Sequence, residues 1–397
     1  MLTLDKIYHA AFVLRNVIRT TNLIKAPNLD PASEIYLKPE NLQITGSFKI
    51  RGAYFKISQL TEEEREKGVI ACSAGNHAQG VALAAARNGI KCRICIPDTA
   101  PISKVEATKE YGAEVILVEG TYDDAYQKTL ELQAETGATF IHPFDDELVI
   151  AGQGTIGLEI LEQLPEVDAV IVPIGGGGLI SGVAYAIKTL APKVKVYGVQ
   201  AAGAPSMYDS VTNHRITTLP AVKTIADGIA VKTPGDNTFN LCQNYVDEIA
   251  TVTDDEISTA ILTMIENQKL VTEGAGAVAV AAALFNKLPI RGKKVVCLVS
   301  GGNIDVTILS RVIDRGLQTE GRLAKLTIEL LDKPGQLKGV SEIIADLGAN
   351  VVSVLHDKSD VNMDINSCFL SVSLETRNHA HVQQIKEKLA QSGFKLV

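Results

Sequence analysis

The stretch Ala169-Val170-Ile171-Val172-Pro173-Ile174-Gly175-Gly176-Gly177-Gly178-Leu179 decides how the rest of the chain is read. Ala169–Ile174 is a short continuous apolar run, the pattern of a strand buried on both faces. A helix is expected from Leu179 to Leu190. A strand that feeds a helix through four glycines leaves consecutive backbone N–H groups uncovered at the positive end of a helix dipole, which is what an anion needs. The run does not fit the dinucleotide pattern G-x-G-x-x-G, and no Gly-Lys-Ser/Thr follows it. Taken alone, it is either a phosphate site or a tight turn without a ligand.

The alternation of strand and helix extends in both directions. Strands are expected at Ser33–Lys38, Ile90–Ile96, Glu114–Val118, Thr139–His142, Lys195–Val199 and Lys294–Val299. Helices are expected at Gln79–Ala86 (stopped by Asn88-Gly89), from about Ile102, at Asp123–Glu135, Thr155–Leu164 and Asp255–Gln268. This order predicts an α/β fold with parallel sheets covered on both faces. After about Arg322 the order becomes β-α-β-β-α-β, the ferredoxin-like unit: strand Leu326–Leu331, helix Gln336–Leu347, strands Asn350–His356 and Ser367–Leu374, helix His379–Ala390 and strand Phe394–Val397. The junction is placed in the polar stretch Arg315 to Arg322, with Gly316 and Gly321.

Composition narrows the function classes. At 397 residues, two or three domains are the prior. Hydrophobic residues at 46% and charged ones at 21% exclude a disordered chain. Lys plus Arg is 38 against 46 for Asp plus Glu, a net charge of −8, so no nucleic-acid partner is expected. The longest nearly apolar stretch, Gly274 to Phe285, is too short to span a bilayer, so no membrane partner is expected either. Asp5, Lys6, His9 and Arg15 interrupt the N-terminal apolar residues, which reads as an amphipathic helix and not an export signal. Six scattered cysteines suggest reduced thiols and a cytoplasmic location. Cys92 and Cys95 form a formal C-x-x-C, but a strand sends positions i and i+3 to opposite faces, so both are expected to be buried and structural. His379 and His381 read as solvated helix residues.

Three further stretches can carry chemistry. In Ser47-Phe48-Lys49-Ile50-Arg51-Gly52 a lysine lies between apolar residues before a helical pattern. Desolvation lowers a lysine's pKa, and the neutral amine can form a Schiff base; otherwise Lys49 is a surface residue at a helix start. Ser73-Ala74-Gly75-Asn76-His77 joins an apolar strand (Val69–Cys72) to a helix and could hold a carboxylate on backbone N–H groups, or could be a capped helix start. Ser300-Gly301-Gly302-Asn303 closes the last apolar strand, at the end where open α/β sheets bind ligands, or is a plain turn.

Together these stretches resemble the fold-type II family of pyridoxal phosphate enzymes, in its threonine/serine dehydratase branch. Gly152-Gln153-Gly154-Thr155-Ile156-Gly157, Ala226-Asp227-Gly228 and Glu273-Gly274-Ala275-Gly276 belong to the same resemblance, which covers nearly the whole chain. It implies a pyridoxal 5'-phosphate cofactor, Lys49 as the Schiff-base lysine, and Gly175, Gly176, Gly177, Gly178 and Leu179 on the cofactor phosphate. It further implies Phe48 against the pyridine ring, Asn76 on its 3′-oxygen and Ser300 facing its nitrogen. Ser73, Gly75, Asn76 and His77 would hold the carboxylate of an amino-acid substrate. The implied reaction turns L-threonine into 2-oxobutanoate and ammonia, and L-serine into pyruvate. A β-replacement enzyme of the cysteine synthase type and a non-enzymatic phosphate or amino-acid binder are the alternative readings; Lys49 argues against the binder.

Two departures separate this chain from the serine racemases of the same fold. They carry an acid/base serine where this chain has Ala74, and metal-binding carboxylates where it has Gln200-Ala201-Ala202-Gly203-Ala204-Pro205, so no Mg²⁺ site is expected there, and a monovalent cation held by carbonyls stays open. The chain is thus expected to comprise a catalytic domain over residues 1–320, with a small subdomain at roughly 45–152, and a domain over 321–397. The second resembles the ACT domain through Leu330-Leu331-Asp332-Lys333-Pro334-Gly335-Gln336-Leu337. That resemblance implies either regulation by an amino-acid effector at Pro334, Gly335, Leu337 and Asn350, or a dimerisation module. A homodimer or homotetramer is expected.

Overall fold

The computed structural model describes residues 1–358 and 366–397. Two compact units divide the chain, Met1–Ile308 and Leu309–Val397.

The first unit holds two sheets. The larger has six strands in the order Ile24–Lys25, Glu34–Pro39, Lys294–Val299, Ala169–Pro173, Lys195–Ala201, Glu248–Val252. Only the first pair is antiparallel. Ala169–Pro173 is central and buried throughout, as its unbroken apolar run requires. The smaller sheet is parallel, in the order Glu114–Val118, Cys92–Pro97, Val69–Cys72, Thr139–Phe140. Cys92 and Cys95 are both buried and face different apolar clusters on the two sides of this sheet.

Glycines set how closely the layers approach. The helix Glu147–Gln163 starts well before the expected Thr155, capped by Asp146, whose carboxylate accepts from the N–H groups of Leu148 and Val149. Gly152, Gly154 and Gly157 all lie inside this helix. A Cβ on Gly152 would stand 2.6 Å from the Gly52 Cα, and one on Gly154 3.0 Å from the Gly182 carbonyl oxygen. These glycines let two neighbouring helices, Lys49–Ser58 and Gly178–Leu190, pack backbone to backbone against Glu147–Gln163. The apolar stretch after Glu273 is the helix Gly274–Leu284, nearly all buried. Asp254–Thr263 is helical and continues as a π-turn over Met264–Gln268.

The second unit contains the antiparallel sheet Asn350–Asp357, Ser367–Glu375, Leu323–Leu331, Lys395–Leu396, with helices Gln336–Asp346 and His379–Gln391. This is the ferredoxin-like order. Its core gathers Ile328, Val340, Leu370, Ile385 and Leu389, all essentially inaccessible; each such side chain contributes about 1.5–3 kcal/mol on burial. The helix Val306–Thr319 takes up much of the polar stretch that reads as a junction. His381 is not solvated: it is buried, accepts from the Arg377 N–H at Nδ1 and bonds the Leu347 carbonyl through Nε2. Among the described residues, no helix is long and apolar enough to cross a membrane.

Candidate active site

A cavity of about 1100 Å³ opens in the first unit, lined by residues that follow the C-terminal ends of strands in both sheets. Phe48, Lys49, Ser73, Gly75, Asn76, His77, Gly175 to Leu179 and Ser300 all line it, so residues from four separate stretches meet in one place.

Lys49 is the first residue of the helix Lys49–Ser58. Its backbone is fixed on both sides. Ser47 pairs with Gly301, the Phe48 N–H donates to the Ser300 carbonyl at 3.1 Å, and the Gly302 N–H donates to the Gly46 carbonyl at 2.9 Å. Two residues on, Arg51 is fully buried and donates to Glu40 at 2.7 and 2.8 Å, to Glu159 at 2.5 Å and to Thr155 at 3.1 Å. Breaking such a buried pair typically costs about 3–5 kcal/mol, so the helix start is held firmly. Lys49 Nζ donates to the Pro143 carbonyl at 2.7 Å and stands 5.3 Å from the centre of the Phe48 ring. Desolvation lowers its pKa from 10.5 to about 8, against the opposing attraction of Glu273. A neutral amine is therefore within reach near neutral pH.

The glycine run leaves its backbone N–H groups uncovered at a helix start. The helix begins at Gly178, and Gly177 caps it with φ of 98°. Among the described residues, none accepts a hydrogen bond from the N–H of Gly175, Gly176 or Gly177. The loop carbonyl of Gly176 is tied back by Thr238 Oγ1 at 2.6 Å. A Cβ on Gly177 would sit 2.7 Å from Met207, and one on Gly178 2.7 Å from the Phe144 carbonyl oxygen. Unpartnered N–H groups at a helix N-terminus with no room for side chains fit a phosphate, and with Lys49 across the cavity they fit pyridoxal phosphate.

Asn76 opens the helix Asn76–Arg87. Its amide donates to Glu273 Oε1 at 2.6 Å, and its carbonyl oxygen accepts from Asn303 at 2.7 Å. The Ser73 hydroxyl accepts from the Gly75 N–H at 3.1 Å. The N–H groups of Asn76 and His77 lie in the first helical turn, where no carbonyl precedes them to accept. The His77 side chain is turned away to the Ile141 carbonyl at 2.8 Å. Burial, then the charge of Lys49, drops its pKa to about 3, so it is neutral. Ser300 donates to the Ala275 carbonyl at 3.3 Å.

Glu273 was given no role by sequence reasoning. It is 4% exposed, and burial followed by repulsion from Asp227 raises its pKa from 4.5 to about 7. The signal available was an acidic residue heading an otherwise apolar helix. Phe144 and the pairing of Lys104 with Asp227, at 2.5 Å on the cavity wall, are likewise not announced by any short motif.

A second cavity, about 330 Å³, lies in the second unit and is lined by Pro334, Gly335 and Leu337. Asn350 does not reach it. It heads the strand that carries His356 near its other end, roughly 20 Å away at 3.3 Å per residue, and its amide donates to Glu375.

The family model for pyridoxal-phosphate dependent enzymes matches residues 14–301. The chain belongs to this family. An L-threonine ammonia-lyase of Thermotoga maritima is 52% identical over 100% of this chain and 99% of its own. A catabolic L-threonine dehydratase of Staphylococcus aureus is 46% identical over 80% of this chain and 93% of its own. The solved structure of maize serine racemase superposes with a TM-score of 0.75 at 38% identity, over 80% of this chain and 98% of that one.

Proposed function

We propose that this protein is a pyridoxal phosphate-dependent ammonia-lyase that converts L-threonine to 2-oxobutanoate and ammonia, and L-serine to pyruvate and ammonia. The carrying observation is a lysine of lowered pKa facing a side-chain-free anion cradle across a cavity that also receives Asn76 and Ser300. When bound, pyridoxal phosphate supplies an electron sink for the pair left when a Cα–H bond breaks. The N–H groups of Gly175 to Leu179 would hold its phosphate, Phe48 would lie against its pyridine ring and Asn76 would hydrogen-bond its 3′-oxygen.

The N–H groups at the start of the helix Asn76–Arg87, with Ser73 and Gly75, hold the substrate carboxylate. Lys49, as the neutral amine, takes the proton from Cα. The β-hydroxyl leaves as water, its proton balanced by the one Lys49 took from Cα, and the enamine product takes up a water to give the 2-oxoacid and ammonia. Ser300 keeps a neutral hydroxyl where a carboxylate would favour a long-lived carbanion, so prompt loss of the β-substituent is the productive path. Ala74, on the cavity wall, has no proton to give to the opposite face of Cα. This disfavours two-base racemisation and sets the chain apart from the racemase that it resembles in fold.

Residues 1–320 form the catalytic domain in this reading, with a small subdomain at roughly 45–152. Residues 321–397 form an ACT domain that binds an amino-acid effector. The enzyme is cytoplasmic and works as a homodimer or homotetramer. The test is to supply L-threonine and L-serine to the cofactor-loaded protein and measure 2-oxobutanoate, pyruvate and D-serine, with and without isoleucine and valine. Formation of D-serine in excess of pyruvate, or no 2-oxoacid at all, overturns the assignment.

A further inference from the structure

Asp332, His356 and Cys368 lie far apart in the chain, yet one ligand atom from each comes within 4.8 Å of the others. Asp332 follows the strand Leu323–Leu331, His356 is on the strand Asn350–Asp357, and Cys368 is the second residue of the strand Ser367–Glu375. Sheet pairing forces the meeting. Leu330 is opposite Cys368, His356 is opposite Leu370, and the Asp332 N–H donates to the Asn366 carbonyl at 2.8 Å. Among the described residues, this is the only grouping of three such side chains close enough to share an ion.

The donors differ in kind, and that selects the guest. His356 Nε2 stands 2.8 Å from Cys368 Sγ. The sulfur also lies 3.6 Å from the Leu330 carbonyl, within reach of a thiol hydrogen bond. Both Asp332 oxygens accept from Lys358 Nζ at 2.8 Å, so a positive charge is already held at this carboxylate. Each carboxylate oxygen keeps a second lone pair for another cation. Cys368 is 1% exposed and forms part of the floor of the 330 Å³ cavity, while Asp332 and His356 stand at its edge.

We infer that Asp332, His356 and Cys368 form a binding site for a zinc-like divalent cation, with a fourth coordination position open to the cavity beside Pro334, Gly335 and Leu337. One thiolate, one imidazole and one carboxylate suit a borderline-soft ion, and hard ions such as Mg²⁺ prefer oxygen alone. Three protein ligands with an open fourth position is an established zinc arrangement. Tetrahedral zinc places its nitrogen and sulfur ligands roughly 3.5 Å apart, so the 2.8 Å contact between His356 and Cys368 opens slightly to admit the ion. On binding, the thiol proton is released to solvent, the metal–sulfur bond replaces the His356–Cys368 hydrogen bond, and one Asp332 oxygen turns from Lys358 to the metal. No redox change is involved. The ion would staple three of the four strands of the second unit at one end of the sheet, and its open position could take an amine or carboxylate group entering the cavity.

The experiment uses the full-length, cofactor-loaded protein, dialysed against a chelator and titrated with Co²⁺ as a spectroscopic probe, then with Zn²⁺ in competition. The expected result is one Co²⁺ per chain with a thiolate-to-cobalt band in the near ultraviolet, bleached by Zn²⁺. Cys368→Ser should lose the band, and His356→Gln and Asp332→Asn should each weaken binding at least about tenfold. If Cys368→Ser does not fold, the exposed positions His356 and Asp332 carry the test. Less than a tenth of an equivalent bound to wild type, a spectrum without the thiolate band, or wild-type affinity in His356→Gln would each overturn the site.

Discussion

The Asn76 side-chain amide donates a 2.6 Å hydrogen bond to the carboxylate of Glu273, a residue 197 positions away. The bond aims Asn76 into the cavity, and it leaves a carboxylate buried beside Lys49. Burial, with Asp227 adding to it, raises the Glu273 pKa from 4.5 to about 7. The folded chain therefore holds more protons at this site than the unfolded chain between pH 4.5 and 7. Stability from this group is present below that window and is lost as pH rises through it. Glu273→Gln keeps an acceptor for Asn76 and removes the titration. In cofactor-free protein, its melting temperature should gain on wild type by a few degrees between pH 5 and pH 8. The same difference at both pH values would remove Glu273 as the titrating group.

Lys49→Ala should lower 2-oxoacid formation by at least about a thousandfold, because the proposed Cα base and the proposed covalent anchor for the cofactor disappear together. The fold should persist, since the helix start is held by Arg51 and not by the lysine side chain. Circular dichroism and turnover, measured on the same sample, separate the two effects. Retention of a tenth of the wild-type rate would exclude Lys49 as the base.

Gly177→Ala tests the cradle. Gly177 has φ of 98°, and a Cβ there would press on Met207 and Thr238 at 2.7 and 2.8 Å. The backbone penalty alone is about 1–3 kcal/mol, and relieving it would turn the loop N–H groups away from the anion. Cofactor occupancy, read from visible absorbance after dialysis, should fall at least tenfold relative to wild type. An unchanged occupancy would mean that the phosphate is held elsewhere.

What could be read in advance follows the distance over which each feature is determined. The strand Ala169–Pro173 and its glycine turn are local, and the structure shifts the expected helix start only from Leu179 to Gly178. The β-α-β-β-α-β order of the tail is equally legible, because each element carries its own periodicity. The true start of the helix Glu147–Gln163 was not legible, since whether glycines such as Gly152 and Gly154 stand outside a helix or inside one and admit a neighbouring backbone is decided only once Gly52 and Gly182 are in view. Glu273 stayed without a role for the same reason: its burial and its bond to Asn76 depend on contacts across the chain. Asp332, His356 and Cys368 are gathered by strand pairing, which no short spacing pattern announces.

Ser300→Asp places a carboxylate at the position proposed to face the pyridine nitrogen. Ser300 is buried, with its hydroxyl donating to the Ala275 carbonyl. A charge there should keep the ring nitrogen protonated and strengthen the electron sink. The expected outcome is slower β-elimination with more transamination or Cα hydrogen exchange, followed by product analysis and by deuterium uptake into recovered L-threonine. An unchanged ratio of elimination to exchange would show that Ser300 does not face the nitrogen.

Deleting residues from Gly321 onward should leave a folded core that forms 2-oxobutanoate at a rate within a few-fold of the full chain. The core motifs from Lys49 to Asn303 all lie in the unit Met1–Ile308, which has its own sheets and apolar clusters. The Staphylococcus aureus dehydratase aligns over 93% of its own length while covering only 80% of this chain, so a related enzyme is nearly accounted for by the shorter match. Any response to amino acids should disappear with the tail. An effector can shift the core only by binding one of two states more tightly, and without its site that difference in affinity is gone. The measurement compares saturation curves of the truncated and full-length proteins across a panel of amino acids, with cofactor content matched. Full effector sensitivity in a soluble, cofactor-binding core would show that regulation does not reside in residues 321–397. A response confined to the full chain would place it there, and an additional loss of oligomer size on deletion would show that the same unit also joins subunits.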